Sequence, residues 1–289
     1  IDDSRPTDSN GEQYSGSPRR SLTTSIWYPS IEKGSDKLAG ENHPLVIYSH
    51  GFSSARDGGT HIAEHLASYG YIVMSPDFPL TSMQTPGDGP KVEDVANQPA
   101  DVSFLIDTML KWSFSEDHKF SNAIDTGKIG LMGLSLGGLT TTLSAFHPET
   151  GDQRIQAAVS IAGPSMMFDH RFFQHRDTPF MMIAGDIDAL VTYPANAAPI
   201  LEKNPKAILV TFKGASHTGF AYRAGIMRFM NNPDALGCYI VKQNLEDNSD
   251  VWDGLLGTEE QGVINVSKND LCIQDPLPKA MNPLRQQQL

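Results

Sequence analysis

The sequence predicts an α/β fold with a mostly parallel central sheet flanked by helices. Three observations predict it. Short, continuous apolar runs recur at residues 45–48, 71–74, 157–162, 180–184 and 208–212, the pattern of strands covered on both faces. Segments with helical spacing separate several of these runs, so strands and helices alternate with right-handed crossovers. The stretch Gly133-Leu134-Ser135-Leu136-Gly137-Gly138 joins the strand-like run Lys128-Ile129-Gly130-Leu131-Met132 to a helix-compatible run at 139–146. No internal repeat, low-complexity tract or linker interrupts the chain. One domain over 1–289 is therefore expected, with an irregular arm at 1–20 and a C-terminal extension over about 231–289.

The elements follow in order. Residues 1–20 are rich in Ser, Pro, Gly and Asp and read as a surface-wrapping arm. Residues 21–28 have strand character, with Leu22, Ile26 and Tyr28 on one face. A loop containing Lys33-Gly34-Ser35-Asp36 leads to the apolar strand 45–48, which ends in Ser49-His50-Gly51-Phe52-Ser53. Residues 62–69 are predicted helical, closed by Gly70 as a C′ residue. The strand at 71–74 ends in Ser75-Pro76-Asp77, and 80–98 reads as a loop. Pro99 opens a helix whose apolar stripe is Val102, Leu105, Ile106, Met109 and Leu110. Beyond residue 194, a helix is expected at 195–203 and another at 221–230. The remaining tail is polar. Its Asp247, Asp250 and Asp253 do not match a calcium-loop spacing and read as a solvated acidic surface.

Composition narrows the function classes. The formal net charge of −12 repels phosphate backbones and anionic lipid, which argues against nucleic acid as a partner. No apolar run approaches the roughly 18 residues of a membrane span, so no membrane insertion is expected. The chain starts at Ile1 without a signal-peptide pattern, which fits a processed or a trimmed end. Its two cysteines, Cys238 and Cys272, are not in a metal spacing. They read either as two buried thiols or as one disulfide closing the tail. The disulfide would suit a secreted or periplasmic protein.

The serine turn carries the chemistry. Alone, G-x-S-x-G is equally a Gly-rich loop. Between a strand and a helix it becomes a nucleophile elbow, which holds a hydroxyl proud of a sheet edge for acyl transfer. Serine then needs a base, and the base an orienting acid, in the chain order Ser, Asp or Glu, His. Two consecutive strands downstream end in Gly185-Asp186-Ile187-Asp188 and in Ser216-His217. Their C-terminal ends lie on the edge where open α/β sheets bind ligands. His217 is the expected base. Of the two aspartates Asp188 is preferred as the acid, with Asp186 a turn residue or a hydrogen-bond partner behind it. The other histidines read as surface, capping or packing residues, and His50 as a brace for its loop. An oxyanion hole needs two N–H donors, expected from Leu136 and from Phe52, with Ser53 the alternative.

These residues carry a resemblance. The run Pro44-Leu45-Val46-Ile47-Tyr48-Ser49-His50-Gly51-Phe52 resembles the oxyanion strand of α/β-hydrolases. Residues 71–76, 124–130, 185–188 and Ser216-His217 match the same pattern. Together they resemble the dienelactone hydrolase-like and platelet-activating-factor acetylhydrolase-like esterases. Arg5-Pro6-Thr7 and residues 20–29 are also similar to that group, so the resemblance covers roughly 5–230. Bacterial polyester hydrolases share the elbow form and are more distantly similar. The resemblance implies an α/β-hydrolase fold and a serine esterase with Ser135, Asp188 and His217 as its triad. The chain departs from dienelactone hydrolases in using Ser rather than Cys, which argues against a dienelactone substrate. It also carries more than seventy residues beyond His217.

The expected activity is hydrolysis of short-chain or bulky carboxylic esters, small or polymeric and extending to polyesters, with no cofactor. A peptidase or amidase on the same triad, and a non-catalytic binding module, are the alternatives. Pro164-Ser165-Met166-Met167-Phe168 is short and apolar, and is expected to line an open cleft rather than cap it. Expected substrate contacts are Phe52, Met166, Phe168 and Tyr193. For Met166 and Phe168, packing beneath the loop is the competing role.

Overall fold

The computed structural model describes residues 1–32, 34, 36–245, 254–264, 272 and 277–289. Asp247, Asp250 and Asp253, like Lys33 and Ser35, lie outside the described residues. Seven strands form one sheet: β1 (Thr24–Trp27), β2 (His43–Ser49), β3 (Ile72–Pro76), β4 (Ile124–Leu134), β5 (Ile155–Ile161), β6 (Phe180–Gly185) and β7 (Ile208–Phe212). Their spatial order is β1-β3-β2-β4-β5-β6-β7. Only β1 runs antiparallel, against β3. The expected mostly parallel sheet, flanked by helices, is what forms. No helix among the described residues is long and apolar enough to cross a membrane.

Alternate residues of the central strands feed two cores, as the period of two requires. Leu45 and Ile47 of β2 and Ile72 and Met74 of β3 face the helices α2 (Gln98–Ser113) and α3 (Leu136–Phe146). Val46, Tyr48 and Val73 point the other way, toward α1 (Thr60–Ser68). Val102, Leu105, Ile106 and Met109 of the α2 stripe are fully buried, and Leu110 packs at its margin. Burying one such side chain is worth about 1.5–3 kcal/mol.

Register sets where the site can be. Ser49 pairs with Gly133, Gly133 with Ser160, and Gly185 with Phe212. The loops that leave β2, β4, β6 and β7 therefore open on one edge of the sheet. The helices α4 (His170–Gln174), α5 (Tyr193–Asn196) and α6 (Ile200–Lys203) are short. The single helix expected over 195–203 is broken at Pro199, which has no N–H to continue a ladder. The helix expected at 221–230 is instead a 3-10 turn, Tyr222–Met227.

The N-terminal arm is anchored more deeply than its composition suggests. Arg20 is fully buried, with Nη2 2.7 Å from Asp94 and Nε 2.7 Å from Asp101. Arg5 adds ion pairs to Asp2 and Asp101. A guanidinium fork that meets two carboxylates satisfies a charge that burial would otherwise penalise. At the other end, α7 (Asp234–Leu245) is tied by a Cys238–Cys272 disulfide with Cα atoms 5.6 Å apart, and α8 (Pro283–Gln286) closes the chain.

Candidate active site

Ser135 occupies the single position between β4 and α3, at φ 57° and ψ −119°. A serine rarely adopts a positive φ, and a residue held there stores strain that its surroundings must enforce. Here close packing enforces it. A Cβ on Gly133 would lie 2.1 Å from the Gly137 carbonyl oxygen, and one on Gly137 would lie 2.0 Å from that of Ser49. Only glycine lets β2, β4 and α3 approach this closely. The Ser135 N–H donates to the Ile161 carbonyl at 2.8 Å, which fixes the turn to β5.

Leu136 is the first residue of α3, so its N–H has no acceptor within the helix. The second donor candidate lies in the loop after β2. A Cβ on Gly51 would meet the Ser135 Cβ at 3.3 Å, so this loop passes directly beside the serine. Ser53 donates its N–H to the Thr81 carbonyl at 2.8 Å, which occupies the alternative donor. The Phe52 N–H has no acceptor among the described residues. His50 controls that peptide. Phe78 N–H donates to its Nε2 at 3.1 Å, so the proton sits on Nδ1, which donates to the Gly51 carbonyl at 2.8 Å. Burial lowers the His50 pKa and keeps the ring neutral. Holding the Gly51 carbonyl back turns the N–H of the same peptide, that of Phe52, the opposite way.

Asp188 and His217 meet across 29 residues of sequence. His217 Nδ1 lies 2.7 Å from Asp188 Oδ2, and both side chains are buried. The other Asp188 oxygen accepts the N–H groups of Leu190 at 2.9 Å and Val191 at 2.7 Å. Three hydrogen bonds hold the carboxylate in place, and Nε2 of His217 is left as the basic nitrogen. Burial works against the imidazolium, but the charges of Asp188 and Asp234 and the Asp188 hydrogen bond outweigh it, so the His217 pKa is raised. Asp186 is exposed and accepts the Gly214 N–H at 2.6 Å, the position of a turn residue.

The expected substrate contacts separate into two groups. Phe52, Met166 and Tyr193 are half-buried, and the Tyr193 hydroxyl lies 2.7 Å from Thr211 Oγ1. Phe168 is corrected: it has no exposure and stacks on Phe172 with ring centroids 4.0 Å apart. The reason lies in the tail. Phe168 pairs with Val263, and the Ile264 N–H donates to the Met167 carbonyl at 2.8 Å. A segment of the C-terminal extension thus covers this loop, and Phe168 packs beneath it.

The tail also supplies two residues that the sequence reading missed. The Ala189 and His217 N–H groups both donate to Asp234 Oδ2 at 3.1 Å, and the Thr218 N–H donates to its Oδ1 at 2.7 Å. Gln286 accepts the Ser216 N–H at 3.2 Å and donates to the Ser216 carbonyl at 2.8 Å. In the sequence, Asn232-Pro233-Asp234 signals no more than a helix start, and Gln286 signals nothing.

Three comparisons bear on this arrangement. A family model described as PET hydrolase-like matches residues 23–230. YitV, a candidate esterase of Bacillus subtilis (strain 168), is 35% identical over 121 residues, 42% of this chain. The match spans 44% of that relative's length. The solved structure of a ferulic acid esterase from Streptomyces cinnamoneus superposes with a TM-score of 0.52. It covers 77% of this chain and 75% of that one at 18% identity, a likeness of fold.

Proposed function

The chain belongs to the PET hydrolase-like family, and from that premise we propose that it is a carboxylic-ester hydrolase working through a serine acyl-enzyme. The observation that carries the reading is a strained serine elbow on the same sheet edge as a buried Asp–His pair. Ser135 Oγ attacks the ester carbonyl while His217 Nε2 takes its proton. The N–H groups of Leu136 and Phe52 receive the oxyanion, each worth roughly 3–4 kcal/mol in the transition state. His217 then gives the proton to the leaving alcohol, and water releases the acyl group through the same base. Asp188 holds the imidazole in the tautomer that leaves Nε2 basic, and its charge stabilises the imidazolium that forms.

The substrate class is short-chain or bulky esters, polyesters among them. Between Gly163 and Phe180 the chain builds only the five-residue α4, too little for the large insertion of a mobile lid. Tyr222 and Ile226 of the 3-10 turn a few residues after His217, and Phe229 just beyond that turn, are exposed, an apolar surface suited to a bulky or polymeric ester.

The test is p-nitrophenyl ester hydrolysis across acyl lengths, with an organophosphonate as a covalent label. Ser135→Ala is expected to lose on the order of 10³-fold or more in kcat, to stay folded and to take no label. Normal turnover in Ser135→Ala would sink the mechanism. A sharp rise in rate at the onset of substrate aggregation, with a preference for long acyl chains, would overturn the open-cleft reading.

A further inference from the structure

The C-terminal extension touches the proposed site at its most demanding point. Asp188 and His217 stand on separate loops, and their contact depends on how those loops lie relative to each other. The Asp234 carboxylate spans both: Ala189, next to the acid, and His217 and Thr218, the base and its neighbour, all donate backbone N–H groups to it. The carboxylate is fully buried. It is held in turn by its place at the start of α7, where its own N–H donates to Asn232 Oδ1 at 2.9 Å. The helix is fixed from further along. Cys238 of α7 is bonded to Cys272, whose N–H donates to the Ala189 carbonyl at 2.8 Å. Ala189, Leu190 and both cysteines pack as one apolar cluster. On the opposite flank, Gln286 of α8 hydrogen-bonds both backbone groups of Ser216.

We propose that Asp234 is a positioning residue of the active site: its carboxylate clasps the acid-bearing loop to the base-bearing loop, with Gln286 as a second clasp. The inference rests on the serine-esterase reading above. Both residues lie beyond the 23–230 stretch that the family model matches, so the tail completes a site that the matched region begins. The clasp is electrostatic as well as geometric. Among the described residues, the charged groups acting on the His217 imidazole are Asp188, from the loop after β6, and Asp234, from α7. The facing residue of α8, Gln286, is neutral. A buried negative charge at Asp234 therefore favours the imidazolium that forms as Ser135 attacks.

The experiment compares wild type, Asp234→Asn and Gln286→Ala on a p-nitrophenyl ester, as kcat, KM and the pH profile of kcat/KM, with Tm measured alongside. An asparagine side chain has one acceptor oxygen, so at least one of the three N–H donors loses its partner, and the charge goes. The expected result for Asp234→Asn is a loss of roughly 10- to 100-fold in kcat with KM little changed. Its acidic limb is expected to move to lower pH, because a negative charge near His217 has been removed. Gln286→Ala is expected to lower kcat without moving the limb. A folded Asp234→Asn with wild-type kcat and an unmoved limb overturns the proposal. If Asp234→Asn does not fold, wild-type kcat in Gln286→Ala overturns it. A wild-type enzyme that turns over no ester would instead overturn the underlying reading.

Discussion

Replacing Asp188 by Asn tests the acid assignment against its neighbour Asp186. Asp188 accepts three hydrogen bonds: His217 on Oδ2, and Leu190 and Val191 on Oδ1. Asparagine has a single oxygen. The two backbone donors hold that oxygen, which turns the NH₂ toward His217 Nδ1. The imidazole must then accept at Nδ1 and carry its proton on Nε2, where it cannot take one from Ser135. The charge that stabilises the imidazolium is lost as well. Together these give a fall of roughly 10³- to 10⁴-fold in kcat, or about 4–5.5 kcal/mol at about 1.4 kcal/mol per tenfold. Asp186→Asn is different, because its amide oxygen can still accept the Gly214 N–H at an exposed turn. Its effect is expected within about 0.5 kcal/mol, less than threefold. The assay is kcat on a soluble short-chain ester for both variants, with circular dichroism to establish folding. Equal losses, or a larger loss in Asp186→Asn, would refute the assignment.

Two further outcomes are expected. The raised pKa of His217 means that its imidazolium persists above the ordinary value of 6.5. The base is lost on acidification, so kcat/KM should rise with pH through a limb above 6.5; a limb below that value in the wild type would contradict the pairing. The Cys238–Cys272 bond closes a separation of 34 residues, for which the chain-entropy estimate is about 4 kcal/mol. Reduction, or Cys238→Ser, should lower Tm and also kcat, since Cys272 is bonded to the backbone beside the acid. Mass spectrometry showing two free thiols in protein purified under oxidising conditions would remove that expectation.

How much could be read from the sequence depended on the range of the interaction. The parallel strands were legible because burial on both faces makes them continuous apolar runs, and α2 because its stripe repeats with the helical period. β1 was shorter than its strand-like sequence, since only Thr24–Trp27 can reach β3 as an edge strand. The helix expected over 195–203 failed at Pro199, a local breaker that the apolar pattern obscured. Phe168 was ambiguous for a different reason: an aromatic residue in a short loop suits a cleft or a core equally. Val263, 95 residues later, is what covers it.

By itself the sequence determined the order of the strands and of the three helices α1, α2 and α3, the glycine spacing that lets a serine sit at positive φ, and an aspartate and a histidine placed just after consecutive strands. These are local properties, written in periodicity and in residues whose backbone freedom differs from the rest. The tertiary structure alone decided which aspartate reaches His217, which N–H groups in the β2 loop find no acceptor among the described residues, and that Arg20 is buried between two carboxylates. It alone decided that Asp234 and Gln286 close on the histidine loop. Each of these is a contact between segments far apart in the chain. An Asp at a helix start, or a Gln near a chain end, looks the same in sequence whether it faces water or a loop folded against it.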